Sequence, residues 1–139
     1  MNKRLFLFLV GLILTSHVGQ AQSKFKDFST VDGVVFSTRW THEKWLSKKS
    51  PLILSVKVKN TNSHAVSYTL GVEFFLNARM VEQNPAAEYC LKAGRTAKGK
   101  LNGTYFKPEN LTEQEVRSDW FEFQLSGLEV SKVETCESK

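Results

Sequence analysis

Cysteine, proline, histidine and long apolar runs are all scarce in this chain of 139 residues. Three prolines and eight glycines exclude a collagen-like or proline-rich low-complexity chain. Apolar residues at 41% and charged ones at 24% exclude wholesale disorder, and the length suits one domain. Short metal-binding pairs are missing as well. Beyond the first 21 residues the histidines are His42 and His64, and no His-x-His or Cys-x-x-Cys spacing fixes a first coordination shell. No nucleophile elbow is present, and the acids Glu73, Glu82 and Glu122 are too scattered to read as a catalytic pair. No cofactor is implied.

The one long apolar run lies at the extreme N-terminus. Lys3 and Arg4 precede Leu5–Leu14, and small residues at Gly19 and Ala21 follow a more polar stretch. A basic head, a short apolar core and a small-x-small end read as a secretory signal peptide over residues 1–21. The core is about half the roughly 20 apolar residues that span a bilayer, so no transmembrane segment is expected after cleavage. The 118 residues left carry 17 basic and 14 acidic side chains, a net charge of +3. That weak basicity argues against a nucleic-acid partner. Export to the periplasm or beyond also predicts that the two cysteines, Cys90 and Cys136, are paired.

The rest of the chain alternates with period two, as half-buried strands do. Leu52, Leu54, Val56 and Val58 alternate with Ser55, Lys57 and Lys59. After the turn formers Asn60–His64, Tyr68, Leu70, Val72, Phe74 and Leu76 repeat the pattern, which predicts an antiparallel hairpin. Val34–Thr41 reads as a strand after an Asp32-Gly33 turn, with Trp40 inward and Trp45 a lid over the edge. Shorter strands are expected at 79–83 and 105–107, and another along Phe121–Val133 with a break or bulge at Ser126-Gly127. Asn102-Gly103 signals a tight turn. Thr112-Glu113-Gln114-Glu115 fits a capping box, which predicts a helix of one or two turns.

Many short strands and no long helix point to an all-β fold, an immunoglobulin-like antiparallel sandwich with one short connecting helix. A small barrel of the oligonucleotide-binding type is the alternative. Residues 22–30 are read as a lead-in, 31–136 as the domain and 137–139 as a tail.

Two features invite a functional reading. Gly94–Leu101 falls one residue short of a phosphate-binding loop, since Leu101 stands where Ser or Thr would hold magnesium, and the flanking turn does not suit that motif. The same stretch places Lys92, Arg95, Lys98, Lys100 and Lys107 between Glu88 and Glu109 with no acid among them. Such a loop, over residues 92–107, suits an anionic glycan, a lipid headgroup or an acidic protein. Trp120 lies out of phase with Phe121 and Phe123, which makes it the tryptophan expected at the surface.

Cys90-Leu91-Lys92-Ala93-Gly94, then Gly99 through Pro108 and Leu111-Thr112, resemble small secreted bacterial immunoglobulin-like β-sandwich proteins of unassigned function. The resemblance implies an exported β-domain and transfers no catalytic residue. The expected role is a noncatalytic protein-binding or accessory module at the cell envelope; the second expectation is a glycan- or anion-binding module.

Overall fold

Residues 24–102 and 104–137 are described by a computed structural model of the chain. The leader read at residues 1–21 therefore lies outside the described residues. Eight strands and two single-turn helices follow in order: β1 (Lys26–Val31), β2 (Val34–His42), β3 (Leu52–Asn60), β4 (Ala65–Leu76), β5 (Arg79–Leu91), β6 (Thr96–Lys98), α1 (Gly99–Asn102), β7 (Tyr105–Phe106), α2 (Glu113–Val116) and β8 (Phe121–Val133). They build two open antiparallel sheets. One has the order β1-β2-β3-β6, with β7 also on β3; the other has the order β5-β4-β8. The fold is an all-β sandwich, as the alternation predicts, and its open sheets leave the barrel alternative without support.

The alternating apolar residues meet between the layers. Val34, Phe36, Leu54, Val56 and Val58 from the first sheet face Val66, Tyr68, Leu70, Val72 and Phe74 from the second, all buried. Each such side chain contributes about 1.5–3 kcal/mol on leaving water. Trp40 points inward, as expected, and its ring meets Phe74, Phe121 and Phe123 at 6.1, 5.6 and 5.9 Å. The capping box is formed: the Glu115 amide donates to the Thr112 hydroxyl at 3.2 Å and the Thr112 amide to the Glu115 carboxylate at 2.8 Å. The Thr112 amide, and then its hydroxyl at 2.9 Å, donate to the Glu115 carboxylate and hold that carboxyl below its usual range.

The structure departs from the sequence reading in several places, among them that a second single-turn helix, α1, and a short strand, β6, form as well. β3 and β4 are not a hairpin. β3 pairs with β2, β6 and β7, whereas β4 pairs with β5 and β8, so residues 61–64 carry the chain from one sheet to the other. The lead-in forms β1, whose alternation is hidden by a bulge between Asp27 and Ser29. The short strand expected at 79–83 runs on through Pro85 to Leu91, because β5 is an edge strand where a missing amide costs no ladder bond.

Asn60 fastens the crossing. It is fully buried, and its amide nitrogen donates to the carbonyls of His64, Leu91 and Lys92 at 2.8, 3.3 and 3.2 Å. Its side-chain oxygen accepts from the backbone and side-chain amides of Asn62, both at 3.0 Å. Its backbone amide donates to the Arg95 carbonyl at 3.0 Å. One side chain thus joins β3, the start of β4 and the end of β5.

Gly71 permits a second close approach. β4 meets a register shift on each flank here, and a Cβ at Gly71 would lie 2.7 Å from backbone atoms of Asn84 and Ala86. Of the break or bulge expected at Ser126-Gly127, the bulge forms, and β8 continues past it.

Asn60→Ala strips buried carbonyls of their donors, and should lower the unfolding free energy by about 3 kcal/mol. Urea denaturation beside Thr61→Ala, whose hydroxyl bonds one exposed carbonyl, measures the difference.

Candidate functional site

Most outward residues of the first sheet, Val35 and Ile53 excepted, are polar by the same alternation that makes its inner face apolar. Across β2, β3 and β6 the rows run Ser37–Lys57–Lys98 and Val35–Lys59–Thr96, while Arg39 lies opposite Ser55. Lys57 directly opposite Lys98 sets like charges against each other, which costs stability. The Phe25 ring softens this, with the Arg39 guanidinium 4.5 Å and the Lys57 ammonium 5.2 Å from its centroid.

Two connections rise beside these rows. After β6, Gly99 takes a φ of +31°, and a Cβ there would run into the Ser55 hydroxyl. The glycine therefore lets α1 lie against β3 and present Lys100 and Leu101. On the other side, residues 43–51 are held by Ser50, a buried hydroxyl that accepts from the Lys44 amide at 2.9 Å and donates to the Ser47 carbonyl at 2.7 Å. The His42 ring bonds the Ser50 carbonyl at 2.7 Å, and the Glu43 amide donates to the Pro51 carbonyl at 2.8 Å. That internal bonding turns Trp45 outward. The Lys100 ammonium donates to the Glu43 carbonyl and ties the two connections together.

Between them lies a cleft of about 190 Å³. Its lining includes Arg39, His42, Lys98 and Lys100 as nitrogen-bearing groups, with Phe25, Trp45 and Leu101 as apolar walls and Glu43 as a carboxylate. Trp45 is 84% exposed and Leu101 88%. Trp45 is thus not the edge lid that the sequence suggests; the loop bonds through Ser50 present it to solvent.

The basic loop read from sequence does not converge on one point. Lys98 and Lys100 line the cleft, whereas Lys92 lines a separate hollow beside His64 and Cys136. Arg95 and Lys107 line neither, and the Lys107 ammonium stands 4.0 Å from the Glu109 carboxylate. Trp120 is 69% exposed, as its phase indicates. It sits at the start of β8, where its carbonyl accepts from Asn77, while Cys136 and Lys92 lie at the opposite end of that sheet. Sequence reasoning missed Phe25, Arg39 and His42 as companions of Lys98 and Lys100. Their common factor is the β2–β3–β6 register, and periodicity alone does not supply it.

The cysteines are bonded, as export predicts: Cys90 and Cys136 lie 5.5 Å apart at Cα. Cys90 is on β5 and Cys136 follows β8, so the bridge spans the central strand β4 and holds the tail to the sheet. Beside it a hollow of about 720 Å³ is lined by Tyr68, Tyr89, Thr104 and the disulfide. Tyr68 is 2% exposed and stacks on Tyr89 at 5.3 Å. Burial, reinforced by Tyr89 and opposed by the hydrogen bond to Thr104, pushes its pKa up to about 12. A phenol held that high stays neutral near pH 7 and does not serve there as a base.

Among the described residues no helix is long and apolar enough to cross a membrane, and no cluster of three or more His, Cys, Asp or Glu side chains is placed to hold a metal ion. Compared with known family models, curated proteins and solved structures, the chain matches none of them.

Two outcomes follow for this end of the molecule. Replacing both cysteines with serine frees a loop of 46 residues' separation, and should cost up to about 4 kcal/mol in urea denaturation. Tyr68 keeps its proton in the folded state to about pH 12 but releases it near pH 10 when unfolded. Its contribution is therefore whole below pH 10 and is lost as pH rises toward 12, by up to roughly 3 kcal/mol. Tyr68→Phe should flatten that alkaline slope in paired denaturation curves.

Proposed function

We propose that the protein is a noncatalytic β-sandwich of the cell envelope, exported by its N-terminal leader to the periplasm or beyond, that binds a partner protein as an accessory module. One observation carries this reading. Trp45 and Leu101 come from connections more than fifty residues apart, yet both stand exposed at the rim of one cleft with Arg39, Lys98 and Lys100. Large apolar side chains held out into water beside cations have the composition of a protein-binding hot spot, where tryptophan and arginine predominate. The resemblance to small exported bacterial sandwich proteins supports the same placement.

The cations favour a second reading, binding of an anionic glycan, with Lys98 and Lys100 of the 92–107 stretch drawing the acid and Trp45 stacking on a sugar ring.

The leaderless chain, residues 22–139, immobilised and exposed to envelope extract, should retain a partner that Trp45→Ala with Leu101→Ser loses by about 30-fold or more. Retention unchanged by that double variant removes the cleft from the proposal. Capture that survives high salt supports the protein reading. Binding to polygalacturonate that disappears with salt and with Lys98→Glu, Lys100→Glu supports the glycan reading.

A further inference from the structure

A sandwich has two outer faces, and here they differ in sign. The outward positions of the first sheet carry Arg39, Lys57, Lys59 and Lys98 against one acid, Asp27, which accepts from the Ser37 hydroxyl at 2.8 Å. The strands of the second sheet carry Glu73, Glu82, Glu88, Glu122 and Glu129. Their two cations, Arg79 and Lys132, lie at strand ends, the first residue of β5 and the last but one of β8.

Register sharpens the division. The first sheet has the outward row Ser37–Lys57–Lys98, and the second has the outward row Glu88–Thr69–Glu129, in which two carboxylates flank a single threonine. A neighbouring row reads Gln83–Glu73–Gln124. Glu82 pairs with the inward Phe74 and accepts from the amides of Glu109 and Asn110 at 2.9 and 3.1 Å, so Glu73, Glu88, Glu122 and Glu129 define the outer face. The ion pairs Lys107–Glu109 and Arg117–Glu113 both lie in the connection between β7 and β8, and neither neutralises a sheet face.

We propose that copies of this chain associate head to tail, the basic outer face of the five-stranded sheet of one copy resting on the acidic outer face of the three-stranded sheet of the next. The occupant of each face is supplied by the chain itself, because each copy carries the complement of its own basic surface. Two-fold pairing of identical faces would set like charges together, so only the heterologous arrangement is favoured. Because the two faces lie on opposite sides of one sandwich, this heterologous contact propagates as a short linear stack instead of closing into a pair. Charge complementarity across an open surface sets orientation and encounter more than depth of binding, so the association is weak and falls steeply with salt.

Sedimentation velocity of the oxidised leaderless protein over a concentration series tests this. In about 20 mM salt, where the screening length exceeds roughly 20 Å, the weight-average coefficient should climb with concentration; in about 0.5 M salt it should stay at the monomer value. Lys59→Glu with Lys98→Glu should be monomeric in low salt, and so should Glu122→Lys with Glu129→Lys. Mixing the two variants should restore a 1:1 complex, since each retains the face that the other lacks. That rescue also shows that both variants are folded. A monomer at every concentration in low salt, association unaltered by both variants, or a mixture that stays monomeric overturns the proposal. Retention of an envelope partner by the Glu122→Lys, Glu129→Lys variant, whose cleft is intact, separates this inference from the function proposed above.

Discussion

The buried amide of Asn60 is the interaction on which the two-layer arrangement turns. A chain leaving one sheet for another cannot satisfy its backbone groups by hairpin pairing, and buried carbonyls without donors are costly. Asn60 meets that demand from a single position. It supplies donors to the crossing segment and to the end of β5, and its oxygen receives the amides of Asn62. The apolar faces of β3 and β4, consecutive in sequence, are thereby turned to look at each other across the core. Had the two strands paired, both apolar faces would lie on one side of a single sheet and require another layer to cover them.

The second sheet is held by two devices of different kinds. At its centre, Gly71 lets bulged stretches of β5 and β8 draw close, with Ala86 and Gly127 near enough that a Cβ on Gly127 would lie 2.6 Å from that of Ala86. At its end, the Cys90–Cys136 bridge reaches across β4. The glycine acts on the folded state by removing bulk where strands crowd, whereas the bridge acts mainly by limiting the unfolded chain. Together they fix a sheet of only three strands, two of which are long edges.

Surface chemistry follows from the same architecture. Alternation sends one residue in two outward, and the outward positions are cationic on the first sheet and carboxylate-bearing on the second. The cleft adds shape to charge, since Gly99 and Ser50 shape the two connections that flank Arg39 and Lys98. The result is a cleft shaped by loops standing on a sheet, the usual division of labour between scaffold and connection.

Local chemistry fixed a good deal. The period-two runs that became β2, β3, β4 and β8, the capping box at Thr112 and Glu115, the inward Trp40 and the outward Trp120 were all legible from residue order. Each depends on neighbours within a few positions. The pairing of Cys90 with Cys136 was readable for another reason, since two thiols in one chain have one intramolecular choice. What alternation cannot encode is the partner of a strand: β3 and β4 show the same pattern whether they face each other across a core or lie side by side in a sheet. That decision fell to Asn60, whose contacts reach some thirty residues away to Leu91 and Lys92. The gathering of Phe25, Arg39, Trp45 and Lys98 at one cleft likewise depended on register between distant strands, which exists only once the layers have packed.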